Sequence, residues 1–221
     1  MDWSGMGSFL LRIVAVLLCI AVHEMSHGFA AYLLGDPTAK QQRRLSLNPL
    51  RHIDPFGALM MLVAGFGWAK PVPVDTRYFR NPKAGMAITA LAGPLSNLLL
   101  SYVALLLRSV CYGLYVSRLS ALAFLLPAAE FLLLLAVLSL GLGVFNLIPF
   151  PPLDGSKVLG VFLPDRIYYR LLRYERYGIF VLMALLYFGV LDTALYAVRT
   201  ALLNGLLSIS RWPFDILALA L

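Results

Sequence analysis

The sequence predicts an all-α polytopic membrane protein with about four to five transmembrane helices and a re-entrant or extended segment at 56–79. Three observations predict it. Of the 221 residues, 61% are hydrophobic and only 13% are charged, against about 25% charged in soluble domains. The mean hydropathy is +0.82. The apolar residues gather into runs near the roughly 20 residues that a helix needs to cross a hydrocarbon core of about 30 Å. No hydrophilic stretch is long enough for a second folded domain. A single membrane domain is therefore expected over 1–221, with its core at 8–160 and C-terminal helices at 177–221.

Ser8–Leu34 is the first expected span, and Gly35-Asp36-Pro37 carries helix-stop chemistry. Met1–Gly7 lacks the basic start of a cleaved signal peptide. Phe56–Trp68 is apolar but short and glycine-rich, which fits a re-entrant or interfacial element. Trp68–Phe79 alternates and holds Pro71 and Pro73, so it reads as an extended edge segment. Ala84–Leu107 is a second span, interrupted at Gly93-Pro94. Pro127–Ile148 is a third and Tyr177–Val198 a fourth. Leu202–Leu221 contains Arg211, Pro213 and Asp215, and is read as a membrane-interface segment or a fifth span.

The net charge of +7 is spread in a way that excludes nucleic acid as a partner. Thirteen of the 18 basic residues fall in three polar stretches, Gly35–Pro55, Ala69–Ala84 and Pro149–Tyr177. Basic loops of this kind mark the cytoplasmic side. If Phe56–Trp68 does not cross, all three stretches share that side and the N-terminus faces out. The expected location is a multi-pass position in a membrane, with these stretches in the cytoplasm. The bilayer is the one partner that composition itself requires.

The chemistry begins inside the first span, at His23-Glu24-Met25-Ser26-His27. Two histidines four apart on a helix stand about 40° apart around its axis, so both reach one metal. Glu24 lies beside them, placed to take a proton from water at that metal. Ionisable groups at membrane depth are functional by default. Cys19, four residues before His23, is either on the metal-facing side or a small buried hydrophobe.

A catalytic zinc keeps three protein ligands and an open position. The one other histidine, His52, sits in a surface loop. The other glutamates are Glu130, near the far end of the third span, and Glu175, among arginines. Asp154 is the better candidate, because Pro149, Pro151 and Pro152 break the chain just before it. A broken helix at membrane depth is tolerated where it lines a cavity or is buried in protein. Asn97 and Asn146 are polar residues at helix breaks, suited to donating hydrogen bonds to a substrate carbonyl. Small-residue helix packing is the structural reading of Ala92-Gly93 and Ser96. His23–His27 and Gly93–Asn97 both fall roughly 12 to 20 Å from the cytoplasmic ends of their spans, at 1.5 Å per residue.

Taken with Asn48-Pro49-Leu50-Arg51-His52-Ile53-Asp54-Pro55, Trp68–Val74, Gly93–Asn97 and Asn146–Gly155, the chain resembles the site-2 protease family of intramembrane zinc metalloproteases. The motifs run in family order over residues 23–155. The resemblance implies one zinc per chain at His23, His27 and Asp154, with Glu24 as general base. It implies cleavage of a peptide bond in or near a transmembrane segment of a protein or peptide substrate. The chain looks like a minimal, prokaryotic form of the family without PDZ or CBS domains, which implies a prokaryotic cell membrane with the active site opening to the cytoplasm.

An intact helix hides its carbonyls in hydrogen bonds, so a substrate has to unwind. Lys70, Pro71 and Val72 then offer an extended segment for strand addition. Two alternatives stand beside this reading: a membrane zinc protease with a glutamate as third ligand, and a catalytically silent membrane-binding or transport protein. Substrate identity and oligomeric state are not encoded in any motif.

Overall fold

Hydrocarbon supplies no partner for a backbone N–H or C=O, so a spanning segment has to satisfy them internally, which a helix does. The computed structural model describes residues 3–57, 70–116 and 124–219, and its regular elements are helical. They are α1 (Trp3–Leu33), α2 (Thr38–Gln41), 3₁₀ turns at Pro49–Arg51 and Thr76–Tyr78, α3 (Pro82–Val116), α4 (Leu125–Asn146), α5 (Asp154–Gly160), α6 (Asp165–Tyr187), α7 (Asp192–Ser210) and α8 (Trp212–Leu219). Three stretches, Gly7–Leu33, Pro82–Val116 and Leu125–Asn146, are long and apolar enough to cross a membrane. The broken pair after α5 makes a fourth if it counts as one span. Large apolar side chains such as Phe9 and Leu10 on α1, and Leu99 and Leu107 on α3, face outward as lipid contact requires. The protein is an all-α integral membrane protein.

Two expectations about the spans change. The fourth span, Tyr177–Val198, is not one helix. α6 ends at Tyr187, and Gly189 takes a positive φ of 67°. The Gly189 N–H donates to Leu186 O (3.1 Å) and the Val190 N–H to Leu185 O (3.0 Å), the pairing that closes a helix around a left-handed glycine. Uniform hydrophobicity carries no sign of this stop. The second span, in contrast, is not interrupted at Gly93-Pro94. α3 runs unbroken through Pro94 for 35 residues. A proline in a membrane helix loses one ladder bond, and packing neighbours hold the helix together.

The C-terminal stretch belongs to α7 up to Ser210, and the 8-residue α8 is too short to cross. Phe56–Trp68 falls almost wholly outside the described residues.

The chain forms two compact units. One comprises Met1–Cys19, Asn97–Val144 and Thr193–Leu221. Its core is Ala15, Cys19, Ala104, Leu105, Leu135 and Ala136, surrounded by leucines of α3, α4 and α7. Alanines on three helices let the backbones approach closely. Cys19 is thus a small buried hydrophobe, its Sγ 3.8 Å from Leu135 O. The Ser139 hydroxyl donates to Asn97 O at 2.9 Å.

The other unit comprises Ile20–Ser96 and Phe145–Asp192. It holds the C-terminal turns of α1, the segment Lys70–Asp75, the start of α3, and α5 with α6. Lys70–Asp75 has no helix and no sheet ladder. Side chains buried in the preceding loop hold it in place. The Arg44 guanidinium, 7% exposed, donates to the carbonyls of Arg51, Lys70 and Pro71. The fully buried Asp36 accepts from Thr38 N (2.9 Å) and from Asp75 N (2.7 Å). The Lys70 N–H donates to His52 O at 2.9 Å. Lys70–Asp75 is thus a strap tied at both ends.

Candidate metal centre

Three donors from two distant stretches converge in the second unit. His23 and His27 lie one turn apart on α1, with ring centroids 4.6 Å apart and planes at 89°. Asp154 is the first residue of α5. Its Oδ2 lies 3.1 Å from His23 Nε2 and 3.2 Å from His27 Nε2. One ligand atom from each residue falls within 4.8 Å of the others, and all three side chains are largely buried. It is the one such cluster among the described residues.

The donor set fits zinc. Two imidazoles and one carboxylate are typical ligands, and three of them leave a position open. With bonds of 2.0–2.1 Å, neighbouring donors of a tetrahedral centre lie about 3.3 Å apart, close to the observed 3.1 and 3.2 Å.

The hydrogen bonds argue the same way. His27 Nδ1 lies 2.7 Å from Thr89 O, an acceptor, so Nδ1 carries the proton. A neutral His27 then turns the Nε2 lone pair toward Asp154 Oδ2. Two acceptors at that distance need a cation between them, a proton on Nε2 or a metal ion. An outer carbonyl on a histidine is also the usual device for orienting a zinc ligand.

Local packing leaves little room for error. A Cβ on Gly93 of α3 would sit 2.5 Å from His27 Nε2 and 2.7 Å from His23 Cε1. One on Gly155 would sit 2.2 Å from Leu147 O, so the residue after Asp154 also has to be glycine for α5 to lie against the proline-rich loop.

Glu24 sits beside the cluster, and its Oε2 accepts from the strap's Val72 N–H at 2.9 Å. A cavity of about 580 Å³ opens over these groups, walled also by Pro71, Val72, Asn146 and Lys157. Of the other residues singled out from sequence, Asn146, Pro71 and Val72 therefore reach the cavity. Lys70 is exposed at the strap's start. Asn97 is buried in the first unit, and its amide atoms have no partner among the described residues.

His52 stays outside the cluster, 1% exposed, with Nε2 2.7 Å from Ser46 O. Glu175 lies 3.9 Å from Lys157, and Glu130 is exposed on α4. No glutamate joins the two histidines among the described residues. Reading the sequence missed Arg44, Asp36, Thr89 and Lys157. Lys157 had a signal, since it lies three residues after Asp154 and so on the same side of a helix.

Comparisons with known proteins give a consistent picture. Residues 114–189, which include Asp154, match Peptidase family M50. The chain is 38% identical over 173 residues to YwhC of Bacillus subtilis, named as a candidate zinc metalloprotease; the match covers 78% of each chain. It is 30% identical over 189 residues to Rip2 of Mycolicibacterium smegmatis, named in the same way, covering 83% of this chain and 69% of that one. No solved structure matches the chain significantly.

Proposed function

The chain belongs to peptidase family M50, the site-2 protease family, and from that premise we propose that it hydrolyses a peptide bond in or near a transmembrane segment of a membrane protein. The family is one of zinc metalloproteases, and zinc is the metal. His23, His27 and Asp154 hold it. When bound, zinc supplies Lewis acidity that brings the pKa of a water toward about 7 and offsets charge developing on the scissile carbonyl.

Glu24 takes the proton from the attacking water and returns it to the leaving amine. The Val72 N–H holds one oxygen of that carboxylate in place and leaves the other for the proton. Asn146, on the cavity wall, is assigned to the substrate backbone; Asn97, fully buried in the first unit, is not. Lys70, Pro71 and Val72 receive the unwound substrate. The N–H groups of Lys70, Val72 and Asp75 are engaged within the chain, and Pro71 and Pro73 have none. Arg44 occupies the carbonyls of Lys70 and Pro71, so a substrate strand on this strap pairs mainly with the carbonyls from Val72 onward, donating its own N–H groups.

The single observation that carries the reading is the placement of Glu24 on the wall of the cavity that also exposes all three metal donors. Glu24→Gln tests it. The substitution keeps size and removes the base, and general acid–base catalysis contributes about 10²- to 10⁴-fold. Cleavage of a membrane substrate in liposomes is expected to fall by at least that range while zinc content stays at one per chain. Cleavage at the wild-type rate by a zinc-loaded Glu24→Gln protein would sink the assignment. Failure of the zinc-loaded wild type to cleave any membrane substrate would instead favour a catalytically silent binding protein.

A further inference from the structure

Five basic side chains lie outside the three polar stretches: Arg12, Arg108, Arg118, Arg199 and Arg211. Two of them meet in the first unit. Arg108 on α3 and Arg211 between α7 and α8 line a cavity of about 320 Å³, together with Ser109, Tyr112 and Ser210.

The depth of this cavity is fixed by α3. Arg108 stands 26 residues beyond Pro82, about 39 Å along the helix at 1.5 Å per residue, past a hydrocarbon core of about 30 Å. The span expected at Ala84–Leu107 ends one residue before Arg108, which would put its guanidinium at headgroup level on the face opposite to the one where α3 starts.

The polar groups there are built but not balanced. Ser109 Oγ donates to Arg211 O and accepts from Phe214 N, both at 3.2 Å, which ties α3 to the start of α8. Arg211 Nε donates to Asp215 Oδ1 at 3.0 Å. The Arg108 guanidinium carbon lies 5.1 Å from the Tyr112 ring centroid, and its buried Nε has no partner among the described residues. Two cations thus face one carboxylate. A buried donor without an acceptor is costly, and a guanidinium pairs best with a planar or tetrahedral oxyanion.

Beside the cavity runs a groove of about 240 Å³, lined by Leu106 and Val110 of α3 and by Trp212, Pro213, Ile216 and Leu217 around α8. Its walls are apolar, and tryptophan is enriched at the membrane interface.

We propose that this is a binding site for one anionic phospholipid. The phosphate sits between Arg108 and Arg211, and an acyl chain lies along the Trp212 groove. A soluble phosphate shares the headgroup chemistry but leaves the apolar groove unfilled. The site does not depend on the proteolytic reading.

Native mass spectrometry of the zinc-loaded, full-length protein in detergent tests it, with phosphatidylglycerol, phosphatidylcholine and inorganic phosphate as separate probes. One phosphatidylglycerol per chain is expected, retained well above phosphatidylcholine and not displaced by inorganic phosphate. Arg108→Gln and Arg211→Gln are each expected to lower that retention about fivefold, the factor equivalent to the ~1 kcal/mol that a basic residue contributes at an anionic surface. Arg211 is largely exposed, so its variant decides the matter if Arg108→Gln misfolds. Equal retention of the two lipids, or retention unchanged in Arg211→Gln, overturns the proposal. Displacement by inorganic phosphate alone overturns the lipid as occupant.

Discussion

At the scale of single residues, the candidate centre depends as much on what is absent as on its ligands. Gly93 presents only hydrogen to the Cε1 atoms of His23 and His27 and to His27 Nε2. Gly93→Ala places a methyl within 2.5 Å of His27 Nε2, and real Cβ atoms do not approach that closely. His27 has little freedom to yield, because Nδ1 is held by Thr89 O at 2.7 Å. Zinc affinity is expected to fall at least as far as loss of an outer hydrogen-bond partner lowers it, about 10- to 100-fold. Gly205→Ala is the control, since nothing lies within 4 Å of a Cβ there. Competition with a chelator of known affinity measures both. Asp154→Asn keeps the side chain's size and removes its charge, and a larger drop in zinc is expected. Metal analysis showing full zinc in Asp154→Asn would remove that residue from the ligand set.

At the scale of elements, the strap decides how Glu24 is presented. Arg44 binds three backbone carbonyls, and hydrogen bonds to a charged group contribute about 1.5–3 kcal/mol. Arg44→Ala leaves the carbonyls of Lys70 and Pro71 unpaired and frees the start of the strap, and with it the Val72 N–H on Glu24. Zinc content is expected to persist, because no metal donor lies on the strap, while the cleavage rate falls about tenfold or more. Arg44→Lys should recover little, since one ammonium cannot reproduce the forked geometry. A wild-type rate in Arg44→Ala would show that the strap holds itself. This device was not legible in the sequence. Its partners are backbone atoms, which leave no pattern, and Arg44 looked like one more cytoplasmic charge. The His23-Glu24…His27 spacing was legible because a helix converts four residues into one shared face. Asp154 was legible because three prolines announced a break. The stop at Gly189 was not, because a hydropathy run records composition and carries no phase.

At the scale of the whole molecule, the open question is which face each loop occupies, and charge answers it more sharply than hydrophobicity. Each lysine or arginine beside a span biases its loop to the cytoplasm, and 13 of 18 basic residues fall in three stretches. α3 and α4 together cross and return, so the stretches before α3 and after α4 share a face. The stretch that follows α1 shares it too only if residues 56–68 do not cross. The matter is therefore decided at one connection. Lys40, Arg80 and Arg170 are exposed, one in each stretch. Lys40→Cys, Arg80→Cys and Arg170→Cys, in a background with Cys19 and Cys111 replaced, are expected to react with an impermeant maleimide from the cytoplasmic side only. Reaction at position 80 from the cytoplasm with position 40 reacting from outside would mean that 56–68 crosses. Lys40 and Arg80 would then lie on opposite faces, although the strap joins their loops through Arg44, Asp36 and His52. Those hydrogen bonds, two through side chains and one between backbones, cannot reach across a bilayer of about 30 Å, so the tie itself requires a common side.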